Sequence, residues 1–209
     1  MRYRKDWHDM SPWLVHFTSG KTGASPYDQM MGILSEGKIE AREFGEFRNL
    51  APNGLQKVAC FSEIPPEYWM RLADHRKSSH GIGFTKEYII RKGGNPILYV
   101  WPGALIYSSL SELANEKSRD ASSPFWDIAA FIQIQNPRNS WDWEREWRVP
   151  KDLQFTPSDV SFLILPEELH LLAKVFFENA LEDNSGPSYD CPFVDASWDM
   201  ARIQRVLDR

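Results

Sequence analysis

The chain alternates short apolar runs with polar breaks, and the period of each run sets the element it predicts. WLVHFT reads as a buried strand over Trp13–Thr18, followed by a polar loop at Ser19–Pro26. Met30, Met31, Ile33 and Leu34 fall at near-helical spacing and Gly37 supplies a C-terminal stop, so the opening is a strand-loop-helix unit. Ala41–Lys57 is polar and carries Gly45, Asn49, Pro52, Asn53 and Gly54, the composition of a long loop or flap. Val58–Phe61 predicts a strand closed by Pro65 and Pro66. EYWMRLADHRKSS predicts a helix with Tyr68, Trp69 and Leu72 on one side. GIGF then returns to strand, Lys86–Arg91 gives a short helix before Gly93 and Gly94, and NPILYVW gives another buried strand.

In the second half, helices are expected over Ser109–Lys117 and Phe125–Gln135, with a turn at Asn136–Ser140. WDWEREWRVP follows. Extended, it places Trp141, Trp143, Arg145, Trp147 and Val149 on one face and Asp142, Glu144, Glu146 and Arg148 on the other. A helix would instead pair Glu144 with Arg148, but the run is short, rich in tryptophan and closed by Pro150, which favours a strand. SFLILP is a strand, and EELHLLAKVFFENAL is a helix with Leu169, Leu172, Val175 and Phe176 at core spacing. SWDMARIQRVLDR predicts a terminal helix capped by Ser197. With no repeat and no linker, the expectation is one α+β domain over residues 1–209.

Composition narrows the function classes. Of 209 residues, 42% are hydrophobic and 25% charged, as in ordinary globular proteins. No apolar run reaches the ~20 residues needed to span a bilayer, and MRYRKDWHDMSPW lacks the apolar core of a secretory signal, so no membrane and a cytoplasmic location are expected. Cys60 and Cys191 stand alone, without metal-ligand spacing, and read as two lone buried thiols. A formal net charge of -5 favours a protein partner or target over nucleic acid. Nine tryptophans suit a core and also suit stacking on a base.

Three strand-like stretches carry residues of catalytic type: LVHFTSG, VACFSEIP and WDWEREWRVP. His16 shares a face with Leu14 and Thr18, the arrangement of a hydrogen-bonded core histidine or of a ligand contact. Ser62 at a strand end satisfies a backbone group or faces a site, and Glu144 and Glu146 form a solvated face or a cleft wall. Arg42 and Arg48 suit either solvent or phosphate, and Tyr68, Trp69 and Phe47 suit either packing or stacking. His75 and His80 flank the basic stretch HRKSSH, which reads as a solvated turn or as a patch that contacts an acceptor.

An LVHFT strand, a helix ending ILSEGKI, an FSE strand and a late Glu-x-Glu strand together resemble the ADP-ribosyltransferase fold. More closely, CFSEIP, HGIGFTKE and EREWRVP resemble the AbiGi-type abortive phage-infection proteins, over about Leu14–Pro166. The resemblance implies a split mixed β-sheet with surrounding helices, and NAD as substrate for ADP-ribose transfer to a macromolecule or for hydrolysis. It implies Glu146 as the carboxylate that stabilises an oxocarbenium-like state, and Glu144 as the base toward the acceptor. His16, Thr18, Arg48 and Ser62 become the contacts to NAD, with Ser62 also buttressing Glu146. The set His16, Ser62 and Glu146 mixes the two residue patterns of that superfamily, so a catalytically silent, antitoxin-like or sensing binding module is the alternative.

Overall fold

The computed structural model describes residues 10–19, 23–43, 45–52, 56–136, 138 and 140–208. The expectations for residues 1–9, for loop positions 20–22, for Asn53 and Gly54 and for turn positions 137 and 139 lie outside the described residues.

In chain order the strands and helices are β1 (Trp13–Phe17), α1 (Pro26–Glu36), β2 (Lys38–Ile39), β3 (Arg42–Glu43), β4 (Lys57–Ser62), α2 (Trp69–Arg76), β5 (Gly81–Thr85), α3 (Lys86–Arg91), β6 (Asn95–Pro96), β7 (Leu98–Val100), α4 (Leu105–Lys117), α5 (Phe125–Ala129), β8 (Ile132–Ile134), β9 (Glu146–Pro150), β10 (Leu153–Gln154), β11 (Phe162–Ile164), α6 (His170–Glu182), β12 (Phe193–Val194) and α7 (Met200–Leu207). They group into two compact units. The first holds the residues up to Lys38, Glu63–Tyr88 and those from Gln154 onward; the second holds Ile39–Ser62 and Ile89–Leu153.

In the first unit the strand order is β12-β11-β5-β1. β11 runs parallel to β12 and antiparallel to β5, and β1 is antiparallel to β5, so the sheet is mixed. Phe162 organises its core. The ring stacks on Trp69 with centroids 5.1 Å apart and takes the edge of Trp13 at 5.9 Å. Phe162 lies opposite Gly83 in the register, and a Cβ on Gly83 would sit 2.3 Å from the ring, so glycine is what admits the aromatic side chain. Full burial of a phenylalanine contributes about 1.5–3 kcal/mol. Val15, Leu72, Ile164, Val194 and Ile203 complete this core. The α1 segment begins with Ser25 accepting from the Asp28 N–H and ends at Gly37 in a left-handed conformation (φ 62°), the glycine stop that the sequence leads one to expect.

In the second unit, β3, β4, β9 and β6 pair antiparallel in that order. β7 and β8 form a separate parallel pair. Phe47, Val100, Ala114, Phe125, Trp126 and Ile132 form the apolar core beneath α4 and α5.

Several expected elements differ from those observed. WDWEREWRVP is not one strand: Asp142–Glu144 forms a 3-10 turn, Arg145 adopts φ 46°, and only Glu146–Pro150 is extended. The left-handed residue breaks the alternation, so Glu144 and Glu146 do not share a strand face. The helix expected over Phe125–Gln135 stops at Ala129, because Ile132–Ile134 pairs with β7 and tertiary pairing overrides the apolar run. NPILYVW divides in two: β6 joins β9 while β7 joins β8. Tyr68 is exposed whereas Trp69 and Leu72 are buried. Helix α7 is capped by Asp199, whose side chain accepts from the Arg202 N–H, not by Ser197. In α6 the buried residues are Ala173, Phe177 and Ala180, while Leu172, Val175 and Phe176 are exposed. No described helix is long and apolar enough to cross a membrane.

Candidate functional site

The second unit gathers the acidic candidates. In the β4–β9 register Ser62 is opposite Glu146 and Cys60 opposite Arg148, while Phe61 pairs with Trp147. Residues directly opposite in an antiparallel pair share a face, so Cys60, Ser62, Glu146 and Arg148 lie on one side of the ladder. Glu146 and Arg148, two residues apart, therefore reach each other. Arg148 Nε donates to Glu146 Oε1 at 2.9 Å, and Nη2 lies 3.5 Å from Oε2. Nη1 donates to the carbonyls of Ala130 (2.9 Å) and Ile132 (3.1 Å), and Nη2 to Gln133 Oε1 (2.8 Å). A guanidinium presents five donors in a fixed fork, and here they tie β9 to the α5–β8 connection. Arg148 is 0% exposed, Glu146 7% and Glu144 3%, so the alternative of a solvated acidic face is not the one observed and these groups are buried.

Tyr99 on β7 completes it. Its Oη accepts the Glu146 N–H at 3.0 Å, and the Ile97 N–H donates to the Glu146 carbonyl at 3.1 Å, which fixes the start of β9. Burial pushes the Tyr99 phenol up to about 12, and the carboxylates of Glu146 and Glu144 push in the same direction. The phenol is therefore a neutral hydrogen-bond donor and acceptor at any physiological pH. Two carboxylates, a phenol and a guanidinium are thus gathered out of solvent, with the guanidinium facing both oxygens of Glu146.

His16 and Thr18 belong to the first unit. His16 is half-buried on β1 opposite Ile82. The Thr18 hydroxyl lies 2.9 Å from the Pro26 carbonyl, 3.2 Å from Ser78 Oγ and 3.2 Å from the His80 carbonyl, and its N–H donates to that same carbonyl at 3.0 Å. Thr18 thus holds the loop that leads into α1. His80 packs edge-on to Tyr27 at 5.9 Å, its ring nitrogens are shielded and make no hydrogen bond among the described residues, and burial lowers its pKa from the ordinary histidine value. Arg48 lies exposed in the 3-10 turn Glu46–Asn49, and Arg42 is exposed on β3. Phe47 and Trp69 are buried and packed, which removes them as stacking surfaces.

The structure thus brings Ser62, Glu144 and Glu146 into one unit and adds Tyr99, Arg148 and Gln133. Arg148 is legible from the Glu-x-Arg spacing on a strand. Tyr99 carries no sequence signal, because its role depends on where β7 runs. A second buried ion pair links Glu63 to Lys86 in the first unit. Its partners come from CFSEIP and HGIGFTKE, and the Glu146–Arg148 pair comes from EREWRVP. The three strings that carry the family resemblance therefore supply buried ion pairs. Cys60 and Cys191 are half-buried where full burial is expected, burial pushes the Cys191 thiol up to about 12, and no His, Cys, Asp or Glu group among the described residues is arranged to hold a metal.

A scan against family models finds no match to the chain, and neither a curated protein nor a solved structure matches it.

Proposed function

We propose that the chain is a phage-defence protein whose second unit carries an ADP-ribosyltransferase-like carboxylate site with NAD as substrate. The resemblance of CFSEIP, HGIGFTKE and EREWRVP to AbiGi-type proteins supplies the biological class. The observation that carries the chemistry is the placement of Ser62 opposite Glu146 on paired strands, with Tyr99 beside both carboxylates. In this reading the nicotinamide–ribose C–N bond breaks and nicotinamide leaves with the bonding pair. Glu146, oriented by Arg148, stabilises the positive charge that develops at the ribose C1. The acceptor, water or a nucleophile on a macromolecule, bonds to that carbon and gives its proton to Glu144. The reading rests on residues of the second unit, and the NAD contacts that the resemblance implies for His16 and Thr18 are not used in it.

A specific observation favours a second reading, that of a silent binding module: Arg148 faces both oxygens of Glu146 and has no solvent exposure. Calorimetric titration of the chain with NAD separates the two. The enzyme reading predicts saturable heat at millimolar NAD or below that is retained in Glu144→Gln, whose carboxylate acts on the acceptor. Absence of heat in the unmodified chain selects the binding module.

A further inference from the structure

Helix α6 has two apolar faces, and among the described residues only one is buried. Ala173, Phe177 and Ala180 pack inward, and two of these three are the smallest side chains that give apolar contact. Away from that face, Leu172, Val175 and Phe176 follow the i, i+3, i+4 spacing of a helix-packing stripe, which the polar Asn179 closes. Leu172 is 61% exposed and Phe176 48%, and Leu171 extends the patch. Isolated exposed leucines are unremarkable, whereas a contiguous apolar stripe on a helix marks a binding surface.

The charges around the stripe identify what fits it. Glu168, Glu178, Glu182 and Asp183 are exposed on and just beyond the helix, against the one cation Lys174 within α6, which lies 3.7 Å from Glu178. A second copy of the chain is a poor occupant. Pairing two copies brings eight exposed carboxylates together with two lysines, so like charge outweighs the Lys174–Glu178 contact that antiparallel pairing about Phe176 would allow. An anionic bilayer is disfavoured by the same acidic rim.

We propose that this face of α6 is a docking surface for a protein partner that presents an apolar helical stripe flanked by lysine or arginine. The partner lays its stripe along Leu172, Val175 and Phe176, and its cations meet the acidic rim, which sets orientation and excludes like-charged competitors. The inference stands independently of whether the second unit turns over NAD.

The test uses the full chain and two synthetic helical peptides that share leucines at i, i+3, i+4 and i+7. One peptide carries lysines at the flanking positions and the other glutamates. Fluorescence titration is expected to show saturable binding of the lysine peptide, weakened at least tenfold by Leu172→Ser or by Phe176→Ser and weakened further by added salt. The glutamate peptide is expected not to bind. Both substitutions are at exposed positions, and an unchanged thermal midpoint verifies the fold, with Val175→Ser as the replacement should either fail. Equal binding of the two peptides, no binding of the lysine peptide, or binding indifferent to the substitutions overturns the proposal. So does preferential binding to anionic phosphatidylserine vesicles, or a sedimenting dimer that Phe176→Ser dissolves.

Discussion

Arg148 decides more about this molecule than any carboxylate around it. Its side chain is fully buried and makes hydrogen bonds to Glu146, to two backbone carbonyls and to Gln133, so Glu146 is held by structure before any ligand arrives. Removing one member of such a pair leaves an uncompensated buried charge and costs about 3–5 kcal/mol. Glu146→Gln is therefore expected to lower the midpoint of denaturant unfolding, and a double-mutant cycle of Glu146→Leu with Arg148→Met is expected to lose less than the sum of the single changes. Tyr99→Phe removes the acceptor of the Glu146 N–H and is expected to cost about 1–3 kcal/mol in the same measurement. His80 gives the pH dependence. Its folded pKa lies below the unfolded value, so the unfolded chain binds the proton more readily, and the contribution is present above about pH 6.5 and lost as the pH falls. Its surroundings are the Tyr27 ring and the loop held by the Thr18 and Ser78 hydroxyls. Unfolding at pH 7.5 and pH 5.5 should show a fall in stability for the unmodified chain that His80→Phe reduces.

At the scale of elements, the glycine stop of α1 is readable, whereas the N-caps and the direction of apolar faces are not. Gly37 ends α1 through one local left-handed dihedral that glycine adopts without strain. The face of α6 depends on what packs beneath it, and spacing alone does not distinguish Leu172, Val175 and Phe176 as core from the same residues as surface. WDWEREWRVP was misread for a similar reason. A left-handed Arg145 has no signature in the residue itself, and it moves Glu144 off the strand. GIGF is the converse case, where glycine has a tertiary cause. Gly83→Ala drives a methyl into the Phe162 ring and is expected to cost about 1–3 kcal/mol, read as a lower thermal midpoint with the secondary structure retained.

Across the whole chain, the α+β composition and the strands β1, β4, β5 and β11 follow from hydrophobic runs bounded by glycine and proline, whereas the short strands β2, β3, β8, β10 and β12 do not. The grouping into two units does not, since each unit is assembled from stretches far apart in sequence. The same holds for the site. Ser62 and Glu146 are separated by more than a third of the chain, and only strand pairing shows that they are neighbours. Tyr99 enters through β7, which a sequence reading merges with β6. The central claim is that this buried group of Glu144, Glu146 and Tyr99 acts on NAD. Its most direct measurement is release of nicotinamide from NAD by the unmodified chain, followed by chromatography with Glu144→Gln in parallel. Time-dependent nicotinamide release that Glu144→Gln reduces at least a hundredfold is the predicted result. No release by the unmodified chain at millimolar NAD, or equal release by both proteins, contradicts it.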